Sequence, residues 1–385
     1  MFEHELSALE SSQLLRRLTP VESYHGPYAT IDGKSRLLLC SNDYLGLAGH
    51  PALRDAARIA MDRYGFGSGA SRLISGTSAS HQELERRIAR FKGVEAALVF
   101  NSGYAANTGI IPAIVGKGDV VLSDCRNHAS IVDGCRLSRA ERAIFRHKDM
   151  NHVESILKES RDARRRLIVT DGVFSMDGDI APLGDLAALA EKYNAILMVD
   201  DAHGTGVLGR TGKGTAEHFG LSQGIHIHMG TLGKALGSFG AYVAGSRDLI
   251  DYLMNSARSF IYSTALPPSV CAASLAAIEI VENEPPHRER LWKNRERFVA
   301  GLTSLGLNSG ESETPIVPIM LGDPAKACKA AEKLFERGIY AVAIRPPTVP
   351  EGASMIRMTL MATHTDQDID KALDVISGLK KEGYL

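Results

Sequence analysis

Lys234 lies in the stretch Gly230-Thr231-Leu232-Gly233-Lys234-Ala235-Leu236-Gly237, with no acidic side chain beside it. An amine in so apolar and glycine-rich a setting is desolvated, which disfavours its charged form and lowers its pKa. A neutral amine condenses with an aldehyde. A loop lysine in solvent is the competing reading, because that is where most lysines sit. Asp200 favours the first. It follows an apolar run, and a buried carboxylate is costly unless it meets a cation. A protonated pyridine nitrogen is such a cation, and pairing it with a carboxylate keeps the ring an electron sink. A metal site or a helix cap would also use Asp200-Asp201, but no further carboxylate–histidine cluster has ligand spacing. His203 could hydrogen-bond a ring hydroxyl. His128 could stack on a ring, and a structural histidine is its rival reading.

The elements that must carry these residues come next. Apolar, strand-like runs at 96–100, 120–123, 166–170, 195–199, 225–229 and 241–244 alternate with helical spacing. Short apolar runs separated by helix-length spacers indicate crossovers and a mostly parallel α/β sheet. In such sheets ligands bind beyond the carboxyl ends of the strands. Asn101-Ser102-Gly103-Tyr104, Asn127-His128, the segment from Asp171 to Gly178 with Ser175, Asp200 to His203, and Thr231 to Lys234 all follow predicted strands. Gly103-Tyr104 also opens a helical stretch, and a helix N-terminus behind a glycine suits a phosphate; Thr231 can add a hydroxyl.

Residues 2–18 show helical spacing, and 28–40 read as a hairpin turning at Asp32-Gly33. Pro285-Pro286 interrupts a helical stretch, and the residues beyond mix strands at 316–320 and 355–360 with helices at 325–337 and 366–383. The expected organisation is an N-terminal helix and hairpin segment (1–45), a large domain (46–285) and a small C-terminal α/β domain (286–385).

A net charge of -1 gives no field that would attract nucleic acid or anionic lipid. Five scattered cysteines without C-x-x-C spacing argue against disulfides or zinc and for a reducing cytoplasm. No secretory signal opens the chain and no apolar run is long enough for a membrane helix. Gly204-Thr-Gly206-Val-Leu-Gly209 fits a dinucleotide fingerprint by spacing, but Arg210 to Gly214 follow it where an apolar helix is required. A nicotinamide oxidoreductase would rest on that segment alone.

The segments SNDYLGL (41–47), GSGASRLISGT (67–77), DGVFSMDGD (171–179), DDAHGTGVLG (200–209), GTLGKALG (230–237) and IYSTALPP (261–268) resemble, in order and along the whole chain, the α-oxoamine synthases. These are fold-type I pyridoxal 5'-phosphate transferases with a large domain and a smaller C-terminal α/β domain. They condense an amino acid with an acyl thioester and lose carbon dioxide. The resemblance implies that Lys234 carries the cofactor as a Schiff base, Asp200 pairs the ring nitrogen, His203 lies near the ring oxygen and His128 stacks. It assigns Gly103, Tyr104, Ser175 and Thr231 to the cofactor, and Asn42, Arg16, His128, Arg345 and Thr348 to the substrate. Ser263 and Thr264 would reach the phosphate of a neighbouring subunit, implying a homodimer. The implied partners are an amino acid and an acyl-CoA or acyl-carrier protein. Segments 41–47, 343–352 and 357–365 are closest to the branch joining L-alanine to a pimeloyl thioester. Segments 67–77 and 127–138 are also close to the branch joining glycine to acetyl-CoA.

Overall fold

The computed structural model describes residues 2–11, 14–16, 18–221 and 223–385. They form two compact units. One runs continuously from Asn42 to Trp292; the other combines Met1–Ser41 with Lys293–Leu385.

The continuous unit is built on a seven-stranded sheet. Its spatial order is Ala96–Phe100, Ala241–Gly245, Ile227–Thr231, Ile196–Asp200, Arg166–Asp171, Val120–Asp124 and Glu141–Phe145. The five strands from Ile227–Thr231 to Glu141–Phe145 are parallel, and Ala241–Gly245 runs antiparallel to both of its neighbours. The near-continuous apolar strands follow from cover on both faces. Val121, Leu167, Val169 and Met198 face a core with Ile110 and Ile111 of helix Gly103–Ile114, Ile131 of Ala129–Leu137 and Leu253 of Arg247–Ser256. Leu122, Ile168, Leu197 and Val199 face the opposite core with Val153 and Leu157 of Met150–Glu159 and Leu186 of Leu183–Lys192. Alternate residues of one strand thus serve two cores.

In the second unit the hairpin Tyr28–Ile31/Lys34–Leu38 forms in the expected place, flanked by Ser23–His25. Its inner strand pairs in parallel with Ile339–Tyr340, so the N-terminal segment shares a sheet with the C-terminal residues. A second antiparallel sheet joins Ile316–Gly322, Ser354–Thr359 and Val342–Ile344. Asp323 caps helix Pro324–Glu336 by accepting from Lys326 N, and Thr365 and Asp368 form a reciprocal capping box on Asp366–Lys381. The first helix is shorter than its spacing predicts, Glu3–Ser11; residues 12, 13 and 17 lie outside those described.

Candidate active site

A cavity of about 290 Å3 opens at the carboxyl edge of the parallel strands. Gly103, Tyr104, His128, Ser175, Asp200, His203, Thr231 and Lys234 all line it. Lys234 is half-buried on the loop after Ile227–Thr231. Asp200 ends its strand and is 4% exposed. Its carboxylate accepts from Asn107 Nδ2 at 2.8 Å and from Ala202 N at 3.1 Å. Burial pushes the Asp200 carboxyl up, while Lys234 and the two donors pull it back. Asp171, paired with Asp200 across the strands, is raised further by burial and by the Asp200 charge. Two neighbouring carboxyls without full compensation form a floor that favours a cationic ligand group.

The geometry adds residues that spacing alone did not reveal. Asn107 also donates to Ser130 Oγ at 2.9 Å, and Ser130 Oγ lies 2.7 Å from His128 Nδ1. A polar chain therefore runs from His128 to Asp200. Asp171 Oδ2 accepts from His128 N at 2.7 Å, fixing the start of helix Ala129–Leu137. The one available signal for Asn107 was a lone amide in the apolar stretch 105–114. Ser102 caps helix Gly103–Ile114 through Ala105 N, so the helix N-terminus opens at the cavity wall.

Asp201 has a different task. It accepts from Lys92 Nζ at 3.2 Å, from Thr215 N and Oγ1, and from Thr205 Oγ1. A methyl group on Gly204 would sit 2.0 Å from Asp201 Oδ1, and one on Gly214 1.7 Å from Oδ2. Of the glycines that mimic a dinucleotide fingerprint, Gly204 makes room for this buried carboxylate, whereas Gly206 closes on Ala235 and Gly209 on Glu217.

His147 anchors the loop that carries Ser175. Its Nδ1 lies 3.0 Å from Asp124 Oδ1 and its Nε2 2.8 Å from Asp179 Oδ2. Burial works against the charged ring, but the two carboxylates outweigh it and raise the pKa to about 9. The raised value means that this clasp stabilises fully below the ordinary 6.5 and is lost as pH climbs through about 9. The melting temperature of the wild type should therefore drop by a few degrees more than that of His147→Gln across this interval. Parallel melting curves for the two proteins would refute the clasp.

Other expected site residues lie elsewhere. Asn42 Oδ1 is 3.4 Å from Tyr44 Oη, in the turn before helix Pro51–Tyr64. Ser263 and Thr264 line a separate recess of about 10 Å3 with Arg72 and Asn101. Arg16, Arg345 and Thr348 belong to the second unit. There Arg345 Nη2 approaches Leu15 O at 3.5 Å and borders a cavity of about 560 Å3 with Lys329 and Glu332.

Residues 34–376 match the model of the family "aminotransferase class I and II". The chain belongs to that family. Among its relatives, the 8-amino-7-oxononanoate synthase of Geobacter metallireducens is 56% identical over 99% of the chain and 98% of the relative. That of Bacillus subtilis is 48% identical over 98% and 96%. Both place the chain in the α-oxoamine synthase branch of the family. Among solved structures, serine palmitoyltransferase from S. paucimobilis with a bound PLP–myriocin aldimine superposes with a TM-score of 0.95 at 33% identity, covering 100% of this chain and 98% of that one. The 8-amino-7-oxononanoate synthase from Francisella tularensis gives 0.79 at 32%, covering 91% and 99%. The fold is that of the fold-type I pyridoxal-phosphate transferases. Among the described residues no helix is long and apolar enough to cross a membrane.

Proposed function

We propose that this chain condenses L-alanine with a pimeloyl thioester, releasing carbon dioxide and the thiol and giving 8-amino-7-oxononanoate, with pyridoxal phosphate as cofactor. The observation that carries the reading is the gathering of Lys234, Asp200, His203 and His128 around one cavity with a helix N-terminus, in a chain that matches 8-amino-7-oxononanoate synthases along nearly its whole length.

The donor set fits the cofactor. Asp200 offers a buried carboxylate to a ring nitrogen, Lys234 an amine to an aldehyde, and Gly103 and Tyr104 their N–H groups, with the Thr231 hydroxyl, to a phosphate. When bound, pyridoxal phosphate withdraws electrons from an attached amino acid and so acidifies its α proton. Lys234 is then the base that removes this proton. Asp200 keeps a proton on the ring nitrogen. His128, steadied by Ser130, would stack on the ring and could donate a hydrogen bond to the substrate carboxylate or to a developing oxyanion. His203 would hydrogen-bond the ring oxygen and Ser175 would add a polar contact. Asn42, Arg16, Arg345 and Thr348 serve the substrate.

A homodimer, with Ser263 and Thr264 of each copy serving the other's phosphate, is supported by the exposed apolar side chains of this unit. Phe66 is 80% exposed and Tyr262 72%, a cost that a second copy would remove. A cytoplasmic setting suits the unpaired cysteines.

Purified protein supplied with alanine or glycine, against pimeloyl-CoA, pimeloyl-acyl-carrier protein or acetyl-CoA, tests the reaction. Alanine with a pimeloyl thioester should turn over fastest; a clear preference for glycine and acetyl-CoA would replace this reading with the second branch.

Arg345 is assigned to the substrate carboxylate. Among the described residues no carboxylate lies within ion-pair distance of it, which speaks against a structural salt bridge. Arg345→Lys loses the planar fork. The alanine KM should rise more than about tenfold with the melting temperature little changed. A lowered melting temperature with an intact KM would remove Arg345 from the site.

A further inference from the structure

Tyr44 is 1% exposed, and its hydroxyl lies 2.7 Å from His203 Nδ1, with the two rings edge to face at a centroid separation of 6.0 Å. A buried tyrosine ordinarily reads as core, its hydroxyl satisfied by whatever lies nearby. Here that neighbour is a ring nitrogen of a residue lining the cofactor cavity. A second acceptor, Asn42 Oδ1, stands at 3.4 Å, beyond the usual range for an O–H donor. The short contact to His203 is therefore the stronger of the two, and which partner donates in it follows from the His203 tautomer.

The turn that carries Tyr44 is built to stay in place. Asp43 Oδ1 accepts from Leu47 N at 2.9 Å and Asp43 Oδ2 from Ala48 N at 3.2 Å, while Gly46 N donates to Asp43 O at 2.9 Å. The Lys234 loop rests on the same turn. Gly237, at φ 60°, comes so close that a methyl group on it would sit 2.3 Å from Ala48 N. One turn thus braces both the loop of His203 and the loop of Lys234.

We propose that Tyr44 is a positioning residue whose hydroxyl donates to Nδ1 of His203, so that the neutral imidazole carries its proton on Nε2. The hydrogen bond made by one ring nitrogen decides the protonation of the other. His203 then presents a donor, rather than an acceptor, to the cavity. That polarity suits the oxygen substituent of the cofactor ring, and in this respect the inference rests on the function proposed above.

NMR of the cofactor-free protein and of the holoenzyme, with isotopically labelled histidine ring nitrogens and His203 assigned by its loss in His203→Gln, reads the tautomer directly. The expected wild-type pattern is an unprotonated Nδ1 and a protonated Nε2. In Tyr44→Phe the proton should distribute over both nitrogens, and kcat should fall about tenfold while the alanine KM holds. A proton on Nδ1 of wild-type His203 overturns the proposal, as do unchanged ring signals in Tyr44→Phe. The wild-type measurement needs no variant, so a substituted chain that failed to fold would not protect the idea. The tautomer is read without cofactor, whereas failure of the cofactor reading shows separately, as a protein to which borohydride fixes no pyridoxal phosphate.

Discussion

Lys234→Ala yields a folded protein that still takes up pyridoxal phosphate but cannot hold it covalently, and turnover falls on the order of ten-thousandfold. The fold survives because Lys234 is half-buried on a loop lining the cavity and is not part of the apolar core. Asp200, the helix N-terminus at Gly103 and the Thr231 hydroxyl remain to bind the cofactor. The chemistry does not survive, because one amine has two tasks. On the proposed function it would hold the cofactor's aldehyde at rest and, once freed, would take the α proton of the substrate. Borohydride reduction followed by peptide mass spectrometry checks the first task. The wild type should carry the cofactor's mass on the peptide containing Lys234, and the variant should carry it nowhere. A cofactor fixed to a different lysine would reassign the site.

Asp200→Asn separates the same two functions differently. The covalent attachment should persist, because Lys234 is untouched. The α-proton step should slow by two to three orders of magnitude, because an amide cannot keep the proton on the ring nitrogen. Removing one partner of a buried charge pair costs about 3–5 kcal/mol, and each 1.4 kcal/mol is about tenfold in rate. Washout of the α hydrogen of alanine into heavy water reads this step, whatever the acyl donor. Near-normal washout would sink the role. The cofactor-free variant supplies a second readout. Burial already disfavours the Asp200 charge, and Asp171 beside it adds to the strain. Replacing the carboxylate by an amide should leave the melting temperature of the cofactor-free protein unchanged or raise it, while holoprotein stability falls.

Much of this site was legible in the chain, for a physical reason. A parallel sheet turns each apolar run into a pointer toward one edge, so the groups after positions 100, 124, 171, 200 and 231 must converge. The runs ending there were visible because both faces of the sheet are covered. The strand Glu141–Phe145 was not visible. It is the outermost in the sheet, and Glu141, Arg142 and Ile144 are exposed, so no apolar run marks it. The supporting residues were hidden for another reason. Asn107, Ser130 and Tyr44 matter through what lies opposite them, and a buried amide, hydroxyl or phenol has no spacing that names its partner. The N-terminal hairpin read correctly as a hairpin, but its membership in the C-terminal unit rests on a two-residue strand, Ile339–Tyr340, too short to leave a pattern, and on contacts such as Thr359 N to Leu39 O and His364 to Leu38 O that no spacing announces.

That two-residue pairing sets an order of events during synthesis. The ribosome completes the continuous unit, Asn42–Trp292, well before residues 339 and 340 emerge. Until then Lys34–Leu38 holds its hairpin partner on one side and bare backbone on the other. An unpaired strand edge is a template for the wrong neighbour, and closing a loop this long is slow. Between the completion of residue 292 and the emergence of residues 339 and 340, the nascent chain therefore holds a finished cofactor-binding unit tethered to a sticky N-terminal ribbon. Chaperone demand, rather than catalytic fitness, is the property that substitutions at the outer edge of Lys34–Leu38 should change first.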